Sequence, residues 1–226
     1  MTPLYHDLSD ETVLVFGGGA VGSRKAIGFA DEARVVVVSP TFTDRLLATA
    51  ATAATDAAGH AGIDLIRAEP DPEGVRGWIH RMSPALVVAA TDERAVNAAA
   101  EAAALEAGVL VNRTDVSGGR DAGSVVVPAT IEDDPVRIAI STGGASPALS
   151  KALRQRVEVE IDGAGAMAEL SGELRGELAE RGIDPETRRE AIRHVVRSEG
   201  VWKGLQKGRS NGRQEAYTVI EEVIDR

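Results

Sequence analysis

Six residues near the start of the chain have the types and spacing of a phosphate-binding turn. The first, third and sixth are the glycines of a G-x-G-x-x-G pattern, whose members are Gly17, Gly18, Gly19, Ala20, Val21 and Gly22. Gly17 permits a tight turn, Gly19 lets the backbone approach a diphosphate because no Cβ intervenes, and Gly22 lets a helix pack against a strand. The helix start adds free N–H groups and a partial positive charge. The pattern predicts a dinucleotide site; the alternative is a turn that only shapes a strand–helix connection.

The residues that follow the next apolar run, at 34–38, are expected to bind the adenosine ribose of such a dinucleotide. An Asp or Glu is expected there to accept hydrogen bonds from the ribose hydroxyls. The chain instead has Ser39, Pro40 and Thr41. Ser39 or Thr41 can bind the hydroxyls as neutral groups, and no Arg follows immediately to hold a 2′-phosphate. The residues therefore favour NAD over NADP, but only weakly.

Polar residues also follow two later apolar runs. Asp115 comes just past a predicted strand, at the end where open α/β sheets bind ligands, and a carboxylate there can act as a general base. The alternative for Asp115 is an Asx turn. Thr91 is a candidate cofactor contact, Asp92 is predicted to cap the helix that follows it, and Asn112 is predicted to orient its loop.

A second glycine pair precedes a predicted helix start. Ser146 suits an N-cap and Pro147 the first helical position, and Gly143 and Gly144 before them can form an anion-binding nest. The alternative is an ordinary cap. The four histidines are scattered without ligand spacing, and the chain has no cysteine, so the sequence predicts no metal site and no thiol nucleophile.

The elements that must position these residues begin as an alternation of strands and helices. Buried strands are predicted at 12–16, 34–38, 63–67, 84–90 and 109–112. Helices are predicted at 20–33, after the first strand, at 41–58, after the second, and at 93–107. Short apolar runs between helical segments are typical of an open parallel sheet. The predicted fold class is α/β, a Rossmann-like doubly wound parallel sheet.

The rhythm changes after Asp115. Apolar runs at 124–128 and 136–141, separated by an acidic turn at 132–135, predict a hairpin. From Pro147 the pattern is helical, with breaks near 163, 182–185 and 208–212, and 207–214 is predicted to be a polar loop. Leu170, Leu174 and Leu178 share one helix face, which predicts packing. The predicted domains are 1–114, 115–147 (a small β region) and 148–226 (helical).

Composition limits the classes of partner. The chain has 226 residues, 43% of them hydrophobic, and a net charge of -10. This charge argues against nucleic-acid binding, which needs a basic face. The sequence has no apolar run of the roughly 20 residues that a membrane span needs and no basic segment typical of a signal peptide, so we expect a cytoplasmic protein.

Four segments together resemble a known family. They are GGGAVGSRK at 17–25, AATD at 89–92, NRTD at 112–115 and STGGASP at 141–147. In this order they are similar to the dehydrogenase module of sirohaem synthases, the precorrin-2 dehydrogenase/sirohydrochlorin ferrochelatase family. The resemblance covers roughly residues 4–160. Gly22 departs from it, because the family often has Ala at that place.

The resemblance implies a fold, a reaction and a set of site residues. Members carry a Rossmann domain, a central β dimerisation region and a helical C-terminal region, and they oxidise precorrin-2 with NAD to sirohydrochlorin, on the route to sirohaem. Some also insert ferrous iron. The family's acid matches Asp115 here, and its dinucleotide contacts match Ala20-Val21 and Pro40-Thr41. A homodimer is expected.

The implied substrate needs a basic, hydrogen-bonding site, since precorrin-2 carries eight carboxylates and the chain as a whole is acidic. The candidate substrate-binding residues are Asn112, Arg113, Thr142, Gly143, Gly144 and Ser146. Two other hypotheses stay open. One is a non-enzymatic nucleotide-sensing domain, for which an acid at the end of the second strand would be expected. The other is an enzyme that acts on a different tetrapyrrole.

Overall fold

The computed structural model describes residues 3–53, 61–116 and 123–225. The chain divides into two compact units, Met1–Val127 and Pro128–Arg226, and each is described by itself. The predicted separation of 115–147 as a β domain stays a prediction. Among the helices of the described ranges, none is both long and apolar enough to cross a membrane.

The first unit is built on a parallel sheet of five strands in the order β3-β2-β1-β4-β5. The strands are β1 (Thr12–Phe16), β2 (Arg34–Ser39), β3 (Gly62–Arg67), β4 (Leu86–Ala89) and β5 (Leu110–Arg113). The order reverses between β1 and β4, which is the switch point where such sheets bind ligands. The predicted doubly wound parallel sheet is confirmed.

Helices cover both faces of this sheet. They are α1 (Ala20–Ile27), α2 (Asp44–Ala53), α3 (Gly74–Met82) and α4 (Arg94–Glu106). Alternate residues of one strand enter opposite cores: Val13 and Val15 of β1 lie in one, whereas Leu14 and Phe16 lie in the other. Burial on both faces explains why these strands read as continuous apolar runs.

Two helix predictions in this unit need correction. The α3 helix was not predicted: it contains Gly74 and Gly77 and follows Pro70 and Pro72, and such residues usually mark loops. The predicted helix at 41–58 begins later, at Asp44, because the hydroxyl of Thr43 accepts a hydrogen bond from Leu46 N at 3.3 Å and so ends the preceding loop. Residues 54–58 of that prediction lie outside the described residues.

The second unit begins with an antiparallel hairpin of β6 (Ala129–Asp133) and β7 (Val136–Ile140). The prediction that 124–128 forms its first strand is wrong. That segment runs beside β5 instead, with Val125 N donating to Val111 O at 2.8 Å. The turn is also shorter than the predicted 132–135, because Glu132 and Asp133 pair with Arg137 and Val136 inside the hairpin.

Five helices complete this unit: α5 (Pro147–Glu160), α6 (Ala164–Glu180), α7 (Pro185–Arg197), α8 (Glu199–Lys207) and α9 (Arg209–Ile224). The predicted stripe of Leu170, Leu174 and Leu178 is confirmed as packing, since each side chain is at most 1% exposed. It packs against α7, α8 and α9.

The predicted polar loop at 207–214 is wrong, because Gly208 alone separates α8 from α9. The glycines that suggested a loop permit a close helix crossing. A Cβ on Gly204 would lie 2.9 Å from the Cα of Gly212. The arginines of the segment form ion pairs: Arg209 and Arg213 bind carboxylates of α6, Glu169 and Glu173 at 3.0 and 3.1 Å.

Candidate functional site

The glycine turn joins β1 to α1 and is held tightly from within the protein. Gly17 N donates to Val38 O at 3.0 Å, and its φ of 108° favours glycine. A Cβ on Gly22 would lie 2.0 Å from Gly17 O, and one on Gly18 would lie 2.3 Å from Thr41 O. Packing inside the protein therefore accounts for glycine at these three positions.

Gly19 differs from its neighbours. Its φ of -73° and ψ of -172° suit any residue, and within the described part of the chain a Cβ there would meet nothing within 4 Å. The residue is the N-cap of α1, and no side-chain cap is found there among the described residues, so the first N–H groups of the helix keep their donor capacity. The protein's own packing does not require glycine here, whereas close approach of a phosphate would.

A cleft of about 200 Å³ lies over the carboxyl ends of β1, β2 and β4. It is lined by seven predicted cofactor residues: Gly17, Gly18, Gly19, Ser39, Pro40, Thr41 and Thr91. The other three predicted cofactor residues lie in α1 and are not among the lining residues. Ala20 and Val21 are exposed, and Gly22 is buried. The structure thus brings the turn and the ends of β2 and β4 together.

A hydroxyl pair fixes the two loops that form this cleft. The hydroxyl of Ser23 donates to Gly18 O at 3.0 Å and lies 2.8 Å from the hydroxyl of Thr43. Thr43 N also donates to Gly18 O, at 3.2 Å. The glycine turn is therefore clamped to the segment after β2, which holds the cleft in one shape.

Glu69 is a cleft residue that the sequence analysis missed. It follows β3 by two residues and is exposed in the cleft lining. Because β3 pairs with β2, Glu69 brings a carboxylate to the region where the end of β2 lacks one. The neighbouring Arg67 donates from Nη1 to Pro40 O at 2.8 Å. The strand order was needed to find Glu69, since its distance along the chain from the glycine turn gives no signal.

Thr91 is fixed by α4. Its N–H donates to Asn97 Oδ1 at 3.0 Å, its hydroxyl to the same atom at 2.8 Å, and its carbonyl accepts from Asn97 Nδ2 at 2.9 Å. The prediction that Asp92 caps α4 is wrong. The N-cap residue is Glu93, and no side-chain cap is found there among the described residues. The N–H of Glu93 donates to the Thr91 hydroxyl at 3.2 Å, so Thr91 fixes the residue that precedes the helix.

Asp115 lies just past β5 and is held by Arg113. Nε and Nη2 of Arg113 donate to the two carboxylate oxygens of Asp115 at 2.8 and 3.1 Å, and Nη1 donates to Glu101 at 2.9 Å. The side chains of Arg113 and Asp115 are 16% and 19% exposed. The predicted substrate residue Arg113 is thus engaged by two carboxylates and positions Asp115.

This pairing determines the charge state of both groups. The hydrogen bonds from Arg113 hold the pKa of Asp115 below its ordinary value, against the opposing effect of partial burial. The hydrogen bonds to Asp115 and Glu101 raise the pKa of Arg113. Asp115 is therefore an ionised carboxylate at neutral pH, available as a proton acceptor.

Asn112 is 4% exposed and holds the segment that follows β5 in space. Its Nδ2 donates to Val125 O at 2.7 Å, in agreement with the predicted loop-orienting role. Its Oδ1 is buried and has no hydrogen-bond partner within the described ranges. A buried acceptor without a partner is uncommon in folded proteins.

The second glycine pair forms the predicted helix start. Leu149 N donates to the Ser146 hydroxyl at 3.2 Å, which confirms the N-cap before Pro147. Gly143 N donates to the Ser141 hydroxyl at 3.2 Å, and Ser146 N to that of Thr142 at 3.2 Å. These donors of the predicted anion nest are therefore already used inside the loop.

Comparisons with known proteins agree with this geometry. A family model described as NAD(P)-binding matches residues 4–129, and a model of the central part of sirohaem biosynthesis proteins matches residues 133–160. A precorrin-2 dehydrogenase of Methanosarcina barkeri is 33% identical over 98% of this chain and 94% of its own length. Siroheme synthase 1 of Aeromonas salmonicida is 37% identical over 79% of this chain, which spans only 35% of that longer protein.

A solved structure supports the fold. SirC, a precorrin-2 dehydrogenase, superposes with a TM-score of 0.68 over 98% of this chain and 100% of its own, at 21% identity. The Methanosarcina relative matches both compact units, and the NAD(P)-binding model ends within two residues of the boundary between them. The chain therefore belongs to the family of precorrin-2 dehydrogenases and of the matching modules of sirohaem synthases.

Proposed function

We propose that the chain is an NAD-dependent precorrin-2 dehydrogenase, which oxidises precorrin-2 to sirohydrochlorin on the route to sirohaem. The observation that carries the proposal is Gly19, a glycine that the protein's packing does not require, at the N-terminus of α1 and in the cleft lining. The relative that matches nearly the whole chain supports the choice of substrate.

The cofactor role of the cleft follows from its donors. The first-turn N–H groups of α1 bind the diphosphate, together with Gly17, Gly18 and Gly19. The loop at 39–41 and Thr91 bind the rest of the dinucleotide. When bound, the nicotinamide ring accepts the hydride that leaves precorrin-2. Asn97 fixes Thr91 by three hydrogen bonds, which use the N–H and hydroxyl donors of Thr91. Thr91 is therefore proposed to make a van der Waals contact with the cofactor rather than a hydrogen bond.

Glu69 is proposed to set the preference for NAD. Its carboxylate accepts hydrogen bonds from the adenosine ribose and repels a 2′-phosphate. We expect Glu69→Gln to weaken NAD binding by about tenfold, the lower end for a hydrogen bond to a charged group, and to bring NADP and NAD closer in affinity. Glu73→Gln, which replaces the next glutamate along the chain, outside the cleft lining, is the control. Unchanged affinity for both dinucleotides in Glu69→Gln would remove this role.

Asp115 is proposed as the general base of the reaction. Loss of a hydride to the nicotinamide leaves one proton to be removed from the macrocycle, and an ionised carboxylate accepts it. Arg113 positions that carboxylate with two hydrogen bonds. The base is therefore a weak one, fixed in place, and it acts on a carbon acid that oxidation has already activated.

Binding of precorrin-2 is proposed to involve two further groups of residues. Asn112 supports the substrate site by fixing the segment at Val125 through its hydrogen bond to Val125 O. The segment with Thr142, Gly143, Gly144 and Ser146 binds carboxylates, although the N–H groups of Gly143 and Ser146 donate within the loop. Arg113 supports the site through Asp115.

The test is an anaerobic assay of NADH formation by Asp115→Ala and Asp115→Asn. We expect both variants to lose most of kcat, by a factor of about 100 or more, while their affinity for NAD stays that of the unmodified protein. Asp64→Asn, an aspartate in an exposed ion pair with Arg34 at 2.8 Å, is the matched control. Unchanged turnover in Asp115→Asn would exclude Asp115 as the base. NAD binding without oxidation of any tetrapyrrole by the unmodified protein would favour a nucleotide-sensing domain instead.

Ferrous iron insertion into sirohydrochlorin is proposed as a second step at the same site. The macrocycle supplies four nitrogen ligands, and Asp115 accepts the displaced N–H protons. Within the described ranges, no three residues of the metal-ligating types come together, so this proposal needs the macrocycle to hold the iron. Adding ferrous iron to the anaerobic assay tests it: the spectrum of sirohaem must appear faster with the protein than without it.

A homodimer is proposed from the exposed surface of α5. This helix has 14 residues with no buried side chain in the described structure. Val159 is 76% exposed and Leu149 50%. A second copy that covers this face would bury them. Sedimentation should give a dimer that Val159→Glu weakens, while Val196→Glu, an exposed valine of α7, leaves it intact. A monomeric unmodified protein would contradict the proposal. The cytoplasmic location stays a prediction.

A further inference from the structure

A groove of about 570 Å³ lies between α6 and α7, wholly within the second unit. Five of its lining residues are arginines: Arg175, Arg188, Arg189, Arg193 and Arg197. The other lining residues are apolar, namely Pro185, Ile192 and Val196. The groove thus combines an apolar wall with five positive charges, on a chain whose net charge is -10.

The arginines of α7 are arranged as a row. Arg189, Arg193 and Arg197 are spaced i, i+4, i+8, so they lie on one helix face over about 12 Å. Like charges at this spacing destabilise a helix. Beside them lie the exposed side chains of Pro185 and Val196, with Ile192, which is mostly buried in the core, at the base of the groove. The helix therefore presents an arginine edge along an apolar strip.

The protein supplies little to neutralise these charges. In the described part of the chain, the five groove arginines form no ion pair within 4.0 Å, although Glu186 and Glu190 lie on the same helix; Glu190 lies 3.9 Å from His194 instead. The Nε of Arg188 is buried and has no hydrogen-bond partner among the described residues. By contrast, Arg209 and Arg213 on α9 are paired with glutamates. The charges of the groove arginines are therefore available to an external anion.

We propose that this groove binds a tetrapyrrole polycarboxylate through its peripheral carboxylates. Guanidinium groups bind carboxylates with paired, charge-assisted hydrogen bonds, and the apolar strip covers part of the macrocycle. A molecule with an apolar body and an anionic rim matches both features, whereas a small anion leaves the exposed side chains of Pro185 and Val196 uncovered. This inference rests on the proposed function for the identity of the macrocycle. It adds a binding site on the helical unit, lined by none of the residues of the dinucleotide cleft.

The test uses stable porphyrins as probes of the full-length protein. Uroporphyrin carries eight carboxylates and coproporphyrin four, and binding is followed by porphyrin fluorescence at low and at moderate salt. The variant R189Q/R193Q/R197Q removes the arginine row. The matched control R34Q/R76Q/K203Q removes the same number of charges from exposed ion pairs elsewhere. Circular dichroism checks that both variants fold.

We expect the unmodified protein to bind uroporphyrin more tightly than coproporphyrin, with an affinity that falls as salt rises. The groove variant should bind uroporphyrin about tenfold more weakly or worse, as removal of three charge-assisted contacts implies, and the control variant should bind it normally. Hydrogen exchange gives a second measurement, because uroporphyrin should protect the amides of α7 in the unmodified protein and in the control variant, but not in the groove variant.

Three results would overturn the inference: equal uroporphyrin affinity in the groove and control variants, no protection of α7, or displacement of the porphyrin by an equal concentration of a polyglutamate peptide. The last would assign the groove to an acidic protein partner. Failure of the proposed function is distinguishable, since it would appear as an absence of NADH formation from precorrin-2 in the unmodified protein, whatever the porphyrin titrations give.

Discussion

Replacing Gly19 by alanine separates a ligand-binding role of the glycine turn from a purely structural one. The added Cβ meets nothing within 4 Å in the described structure, and the backbone angles suit alanine. The substitution lowers the entropy of the unfolded chain but puts a poorer residue at the N-cap. We therefore expect the free energy of unfolding to stay within about 1 kcal/mol of its original value.

The same Cβ lies where a diphosphate must approach the backbone. If it prevents two N–H groups from donating to phosphate oxygens, at about 1.5 kcal/mol each, binding loses about 3 kcal/mol. This corresponds to a dissociation constant for NAD that is about 100-fold higher. Calorimetric titration with NAD measures the affinity, and urea unfolding of the same sample measures the stability.

Two other glycines of this region provide controls. A Cβ on Gly28 would lie 3.5 Å from its nearest neighbour, which is ordinary contact, so Gly28→Ala should change neither quantity. A Cβ on Gly22 would lie 2.0 Å from Gly17 O, so Gly22→Ala should lose about 2 kcal/mol or more of stability. The reasoning is refuted if Gly19→Ala binds NAD as tightly as the unmodified protein, or if it destabilises the fold as Gly22→Ala does.

Three further predictions concern the cores, the base and a helix start. Leu174→Ala should lower the free energy of unfolding by about 3 kcal/mol, since the side chain is fully buried; urea unfolding that shows less than about 1 kcal/mol would contradict this packing. The guanidinium of Arg113 keeps the pKa of Asp115 low, so the carboxylate stays ionised as pH falls. Arg113→Gln should therefore move the acid limb of the pH profile of kcat/KM to higher pH. An acid limb at the same pH in this variant would exclude Asp115 as the titrating group. Ser146→Ala should cost about 1 kcal/mol and Ser146→Gly only a few tenths, by thermal unfolding, since glycine is a tolerated N-cap; unchanged stability in Ser146→Ala would show that the cap contributes nothing.

The parallel sheet was predictable because its strands are buried on both faces. Such strands are continuous apolar runs, as in Arg34–Ser39, and the glycine turn after Phe16 fixes where the first one ends. A continuous apolar run is enough to identify such a strand from the local sequence. The pairing of Arg113 with Asp115 was also accessible in principle, since residues i and i+2 of an extended chain point to the same side.

The wrong predictions concern residues whose structural role depends on residues that are distant in the sequence. Gly204 and Gly212 permit two helices to touch, and nothing in their local sequence distinguishes this from a flexible loop. Glu69 enters the cleft only because β3 pairs with β2. The run at 124–128 is apolar enough for a hairpin strand, but backbone hydrogen bonds to Val111 place it beside β5.

The most direct measurement is the stoichiometry of the reaction under anaerobic conditions. Precorrin-2 is mixed with NAD and the protein, and the absorbances of NADH and of sirohydrochlorin are recorded together. The account predicts equal amounts of the two products, formed only when NAD and the protein are both present. Sirohydrochlorin that forms without an equal amount of NADH, or NAD that binds while precorrin-2 stays unoxidised, would contradict it.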